Sequence, residues 1–352
     1  MERTEPLVAI HFSFGSHFPE DIDRLPQIKK QAGEFFQPDT RNIYMLEQVG
    51  VAKSTISTMQ DEYKRTGSYF DAFLQTAALS PQGIRRRLNS VELVNTRSKA
   101  LQRSGFDTGS TAVQSNYLVS MFGYNEQVML DELAEVVSFE LDVECYPDPE
   151  ARRMGKQHME YLRLSGQSLD ASQKGDAQKA IVLYKESIFL QAQNTRNRNV
   201  TYRDRLATSV LDSVRDQRPT RIFIRIGEDH DKLTETFSQD DRMTAPDIRG
   251  CFTAIPVYDY GRVLRQPHGS LLLALENDPQ LVPTDEQILK AMIGIYVDGY
   301  LSQMKKPRPE RAEKANKVAA AASADDIANF IRSLPSSNFQ KSIGPFIYSK
   351  LF

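Results

Sequence analysis

One segment of the chain combines the pattern of a buried β-strand with polar side chains at its end. In residues 221–226 three isoleucines alternate with bulky side chains, and β-branched residues at this spacing favour an extended strand. Gly227 follows, and a carboxylate and an imidazole come next at Glu228 and His230. In open α/β sheets the ligand site lies at the carboxyl ends of the strands. The segment therefore predicts a sheet and a candidate site at its edge.

Further strand patterns occur along the chain, and helical periodicity lies between them. Further strands are predicted at 7–14, 42–47, 136–143, 251–258 and 270–275. A helix at 26–36 separates the first two strands, and this order implies a parallel pair joined by a helical crossover. We therefore predict an α/β fold with a mainly parallel sheet and helices on both faces.

The chain is predicted to divide into three parts. Residues 1–304 form the α/β domain, with helical insertions at about 53–135 and 150–195. Residues 305–322 are charged and then alanine-rich, which indicates a linker or a solvated helix. Residues 323–352 form a C-terminal appendage that ends in apolar side chains. This docking segment would pack on the chain's own core, on a second copy or on a protein partner.

The composition argues against several classes of protein. The formal net charge of −2 gives no electrostatic argument for nucleic acid or an anionic membrane. Cys145 and Cys251 are the two cysteines, and they supply neither a disulfide scaffold nor a cysteine-based zinc site. No apolar run approaches the ~20 residues that cross a bilayer, and the N-terminus lacks a signal-peptide pattern. We expect a cytoplasmic protein without nucleic-acid or membrane partners.

Polar side chains follow three of the predicted strands. His17 follows the first strand, Glu47 ends the second, and Glu228 and His230 follow the strand at 221–226. The carboxyl ends of parallel strands meet at one edge of a sheet. Imidazoles and carboxylates gathered there suit either a hydrolytic metal site or a metal-free general base. Arg203, in the first turn of a helix predicted at 201–215, would stabilise developing negative charge.

Four of these elements resemble those of the TraB/TIKI/ChaN/erythromycin-esterase-like superfamily, in order and spacing over about residues 7–300. Residues 14–19 resemble its first Gly-x-x-His element, although they are one residue shorter, and residues 227–230 resemble its second. Glu47 lies at the family's usual distance, and residues 203–207 resemble its Arg-Asp/Asn-x-Met-Ala helix. The family includes metal-dependent peptidases, macrolide-ring esterases and a haem-binding protein.

The resemblance implies a hydrolase of an ester or amide bond in a small-molecule or peptide substrate. His17 or His230 would act as base or metal ligand, and His11 on the first strand is an alternative imidazole. Glu47 and Glu228 would orient the imidazole or bind a divalent metal ion, while Arg203 would stabilise the oxyanion.

The metal ligands would be His17, Glu47 and His230, and the sequence does not identify the ion. The alternative is a non-catalytic binding or protein-interaction module on the same scaffold. It would use the helical insertion and the C-terminal segment to form a homo-oligomer or to bind a protein partner.

Each candidate residue also has a purely structural interpretation. Glu47 could cap a helix N-terminus, Arg203 could be an exposed first-turn residue, and Glu228 could support a turn. Residues 196–199 are predicted to be a polar loop before a helix that Thr201 caps. The segment 50–55 lacks the P-loop glycines required at 47 and 52, so a phosphate-cradling loop is excluded there.

Overall fold

The computed structural model describes residues 6–15, 24–47, 52–69, 72, 126, 128–230, 232–258, 265–304, 306–334 and 339–351. His17 and much of the predicted insertion at 53–135 lie outside these residues. The chain forms two compact units. The first unit comprises Met1–Asn89, Ser115–Gly155 and Asn197–Gly261. The second comprises Ser90–Gln114, Lys156–Arg196 and Arg262–Phe352.

Within the described residues, the first unit contains a five-stranded parallel sheet in the order β3-β2-β4-β1-β5. The strands are β1 (Val8–Gly15), β2 (Arg41–Leu46), β3 (Glu140–Val143), β4 (Thr220–Gly227) and β5 (Phe252–Tyr258). The α/β class and the parallel sheet are confirmed. β3 is shorter than the strand predicted at 136–143, and Val136 is 79% exposed ahead of it.

The described helices alternate with the strands in the first half of the chain and continue through its last third. They are α1 (Leu25–Phe35), α2 (Lys53–Thr66), α3 (Asp148–Gln173), α4 (Ala177–Arg215), α5 (Leu233–Ser238), α6 (Asp241–Thr244), α7 (Pro267–Asn277), α8 (Asp285–Gln303), α9 (Arg308–Ala321), α10 (Ala324–Ser333) and α11 (Phe339–Leu351). None of the described helices is both long enough and apolar enough to cross a membrane.

Helices cover both faces of the sheet. Successive side chains of a strand point to opposite faces, and in β4 the apolar side chains on each face pack against helices. Phe223 of β4 packs with side chains of α1 and α2, including Ile28 and Ile56. Ile224, the next residue along β4, packs with Leu206 of α4 on the opposite face. α4 therefore packs on the face of the sheet to which Ile224 points.

α4 is one continuous helix, and this corrects the predicted loop at 196–199 and the predicted cap at Thr201. The Thr201 hydroxyl donates to the Asn197 carbonyl at 3.2 Å, so it follows the helix instead of starting it. No glycine or proline interrupts residues 177–215, and the polar side chains there are compatible with a helix. The residues from Asn197 onward belong to the first unit.

The described part of the second unit is helical, which contradicts one predicted strand. The strand predicted at 270–275 belongs to α7, where Leu271 and Leu275 are buried one turn apart. Within the segment 305–322, predicted as a linker or a solvated helix, Arg308–Ala321 form the helix α9, and Ala315 and Val318 of this helix lie in the core. Small alanine side chains let neighbouring helices approach closely, so this polar segment packs with Val318 as its largest buried apolar residue.

The apolar C-terminal segment also packs in the core of the second unit. Ile327 and Ile331 of α10 and Ile343 and Ile347 of α11 are buried in one cluster with α8. The sequence left open whether this segment packs on the chain's own core, on a second copy or on a partner. These four side chains pack in the chain's own core.

Candidate functional site

Glu47 and His230 lie side by side at the carboxyl end of the sheet. β2 and β4 are paired neighbours; Glu47 directly follows β2, and His230 ends the short 3₁₀ turn Glu228–His230 that follows β4. The Gly227 backbone N–H donates to Oε2 of Glu47, and Oε1 lies 3.4 Å from Nε2 of His230. The side chain of Glu47 is 9% exposed and that of His230 is 2% exposed. The structure thus brings two of the predicted site residues together in a buried position.

Two residues of α4 hold the imidazole ring of His230. Nδ1 of His230 lies 2.5 Å from Oδ1 of Asn199. The Tyr202 ring meets the imidazole edge to face, with the centroids 5.8 Å apart. An Nδ1–H that donates to Asn199 leaves the other ring nitrogen directed at Glu47. The orientation of the ring is therefore set from three sides.

Arg198 joins two carboxylates at the strand ends. Its Nε and Nη2 donate to Glu144 at 2.8 and 2.7 Å in a bidentate pair, and Nη2 also donates to Oε1 of Glu47. Burial by itself would lower the pKa of Arg198, but the charges of Glu144 and Glu47 raise it well above its usual value. Arg198 is therefore a charged, buried guanidinium shared by both carboxylates.

Glu144 is the fully buried member of this group. It follows β3, and its backbone N–H donates to the Leu46 carbonyl at 2.9 Å, which places it beside the end of β2. The hydroxyls of Tyr146 and Tyr202 donate to its two oxygens. Burial and then the charge of Glu144 raise the pKa of Tyr202 well above its usual value, so this tyrosine remains a donor. We call Glu47, Glu144, Arg198, Tyr202 and His230 the strand-end cluster.

Arg203 lies outside the strand-end cluster. Its Nε is 3.1 Å from Oδ2 of Asp240, and Arg242 donates at 2.7 Å to both Asp240 and Asp204. These side chains line a polar depression on the surface of the first unit. The structure therefore does not bring Arg203 to Glu47 or His230.

Two predicted site residues fall wholly or partly outside the described residues. His17 is not among them, and only the backbone of Glu228, the first residue of the short 3₁₀ turn that ends at His230, is described. The roles assigned to these two side chains stay predictions.

His11, the alternative imidazole, lies in an aromatic core. Its ring stacks on Phe223 with centroids 4.7 Å apart and meets Phe35 at 5.4 Å. Its Nε2 is buried and has no hydrogen-bond partner among the described residues, and burial lowers the pKa of His11 to about 4. A neutral ring packed between phenylalanines is suited to a core position.

The described residues do not complete a metal site. They contain no group of three or more His, Cys, Asp or Glu side chains that could hold a metal ion. Glu47 and His230 supply two donors, and the third predicted ligand, His17, lies outside the described residues.

Four side chains at the site were not predicted. Glu144 ends a predicted strand in the same way as Glu47, which was a usable signal. Arg198 and Asn199 were assigned to a loop. They form an arginine followed by a short polar residue, as Arg203 and Asp204 do, so this pair was a second match to the arginine element. Tyr202 carried no signal beyond its place in a helix.

No protein-family model matches the chain, and no curated protein and no solved structure matches it. The superfamily resemblance therefore stays a prediction.

Proposed function

We propose that the protein hydrolyses an ester or amide bond, with His230 as general base, Asn199 as the acceptor that orients its ring and Glu47 as the carboxylate that stabilises the imidazolium. The supporting observation is the 3.4 Å contact between Nε2 of His230 and Oε1 of Glu47. An imidazole held beside a carboxylate is a common arrangement for proton transfer in acyl-transfer enzymes. Its place at the carboxyl ends of parallel strands is where α/β folds bind ligands.

The two ring nitrogens of His230 have different roles in this proposal. Nδ1 is held by Asn199 at 2.5 Å, whereas the Nε2 contact at 3.4 Å is longer than a good hydrogen bond. Nε2 is therefore the nitrogen that accepts a proton from water or from the substrate. Glu47 then stabilises the imidazolium, and burial strengthens that charge interaction.

Among the described residues, Arg198 is the cation that pairs with Glu47. It donates to Glu47, whereas the guanidinium of Arg203 is engaged with Asp240. We assign to Arg198 the task of holding the Glu47 carboxylate. The oxyanion-stabilising role of Arg203 stays a prediction that follows from the superfamily resemblance.

The proposal is tested with purified protein on panels of chromogenic esters and fluorogenic peptide amides. His230→Asn lacks the imidazole base, and we expect its kcat to fall by about 100-fold or more. His158→Asn, on α3 in the second unit, is the matched histidine control and keeps the wild-type rate. Equal rates in wild type and His230→Asn, or no hydrolysis by wild type on either panel, would contradict the proposal.

A metal-assisted form of the reaction would use His17, Glu47 and His230 as ligands of a divalent ion. Metal content by mass spectrometry tests it, because His17→Ala and His230→Ala would lose an ion that His158→Ala retains. A wild type that is active without bound metal would contradict the metal-assisted form and leave the general-base proposal intact.

The second candidate is a non-catalytic binding or interaction module in the cytoplasm. The observation that favours it is the 2% exposure of the His230 side chain, because a buried cluster can simply anchor α4 to the strand ends. Deleting the C-terminal segment would remove core residues, so a surface substitution is the sharper test of oligomerisation. Tyr348 on α11 is 67% exposed. Tyr348→Ser would lower the mass measured by ultracentrifugation if that surface joins two copies.

A further inference from the structure

Among the described residues, Glu144 receives more side-chain hydrogen bonds than its neighbour Glu47, although it is Glu47 whose carboxylate lies beside the His230 ring nitrogen. Arg198 donates to Glu144 twice, and Tyr146 and Tyr202 donate once each. Two routes lead from Glu144 to the imidazole ring. One passes through Arg198 to Glu47, and the other passes through Tyr202, whose ring packs against the His230 ring.

We propose that Glu144 is a positioning residue for the His230 base. Its carboxylate fixes the guanidinium of Arg198 and the ring of Tyr202, and these in turn fix Glu47 and His230. The expected effect of Glu144 on the rate of hydrolysis rests on the proposed function. The expected effect of Glu144 on the position of the His230 ring, which NMR measures, does not.

The division of the Arg198 donors gives the physical reason. Nε and Nη2 form a bidentate pair with Glu144, so Glu47 receives only the shared Nη2. A guanidinium released from Glu144 would turn its bidentate side to Glu47, because that geometry is the stronger one. The Glu47 carboxylate would then rotate, and Oε1 would leave its place beside Nε2 of His230.

A second carboxylate–arginine pair provides a matched control for a purely structural role. Asp142 on β3 pairs with Arg205 on α4, so this pair links the same strand to the same helix. Among the described residues, neither Asp142 nor Arg205 contacts Glu47 or His230. If these pairs only held α4 in place, removing the charge of Asp142 or of Glu144 would disturb the His230 ring equally. If Glu144 positions the ring, removing the charge of Glu144 would disturb it and removing that of Asp142 would not.

The activity-independent readout is the ¹H–¹⁵N correlation spectrum of the imidazole rings. The chain has five histidines, and His230→Asn identifies the His230 signals by their loss. We expect Glu144→Gln to shift both ring nitrogens of His230, and Asp142→Asn to leave them in place. Tyr146→Phe removes one donor to Glu144 without a described contact to His230, and we expect a smaller shift in the same direction.

The kinetic readout separates positioning from binding. If the wild type hydrolyses a substrate, Glu144→Gln lowers kcat by about 10- to 100-fold, as outer-shell substitutions commonly do, while KM stays near the wild-type value. Glu144→Asp, which keeps the charge, restores part of kcat.

Two results would contradict a positioning role for Glu144. One is a folded Glu144→Gln whose His230 signals match those of the wild type, and the other is an equal shift of these signals in Asp142→Asn. If Glu144→Gln does not fold, Tyr146→Phe decides by the same signals. If the wild type hydrolyses nothing, the proposed function fails, and the His230 signals still decide whether Glu144 positions the ring.

Discussion

Replacing Arg198 with methionine removes the cation that two buried carboxylates share. Methionine keeps much of the side-chain length, so the change is chiefly one of charge and hydrogen bonding. The Arg198 side chain is 8% exposed, and water would recover little of the lost interaction. Breaking a buried ion pair in this way typically costs about 3–5 kcal/mol in the free energy of unfolding. We expect the low end of this range, because Glu144 keeps its tyrosine donors and Glu47 keeps the Gly227 N–H.

A double-mutant cycle isolates the pair. Arg198→Met combined with Glu144→Gln leaves no unpaired charge at Glu144, so the double variant should be more stable than the sum of the single losses predicts. We expect a coupling energy of about 2 kcal/mol for these contacting residues. Arg205→Met, whose ion pair with Asp142 is partly exposed, should cost about 1 kcal/mol or less.

The assay must report on the first unit, because a chain with two compact units need not unfold in one step. Hydrogen exchange under increasing urea, followed by mass spectrometry on peptides from β2 and β4, meets this requirement. A loss below about 1 kcal/mol in Arg198→Met, or a coupling energy near zero, would refute the view that Arg198 is buried and shared.

Three further predictions concern other parts of the chain. Burial holds the pKa of His11 at about 4, so as pH falls the unfolded chain takes up the proton first. The stability that depends on the neutral ring is thus present above about pH 6.5 and is lost as pH falls toward 4. Between about pH 7 and pH 5, urea unfolding of the first unit should show a loss of at most about 2 kcal/mol, and His11→Gln should remove most of it. Gly227→Ala would place a Cβ 3.2 Å from Oε2 of Glu47, so we expect lower hydrolysis and shifted His230 signals. Gly155→Ala, which meets nothing within 4 Å, is its control and leaves both unchanged. Thr284→Ala removes the capping box of α8 and should destabilise the second unit by about 1 kcal/mol in calorimetry; an unchanged transition would contradict that role.

The sheet was predictable because its strands carry local patterns. The alternation in β4 and the apolar runs in β1 and β2 need no knowledge of the rest of the chain. The segment 270–275 was assigned wrongly because a short apolar run does not distinguish a strand from a buried helix. α9 was not recognised as a core helix because its buried face is mostly alanine, including Ala312 and Ala315.

The site was predictable only where residues follow strands in sequence. Glu47 and His230 could be placed together because parallel strands end at one edge. The role of Glu144 depends on β3 lying next to β2, and that of Arg198 depends on where α4 crosses the sheet. Both facts arise from packing between segments far apart in the chain, so local patterns do not contain them.

The most direct test of the central claim is the rate of ester or amide hydrolysis by Glu47→Gln at saturating substrate. Glutamine has the size of glutamate but no charge to stabilise the protonated His230 ring. The proposed reaction predicts a folded variant whose kcat is lower by about 100-fold or more than that of wild type. A folded Glu47→Gln with the wild-type kcat would contradict the assignment of the Glu47–His230 pair as the reacting base.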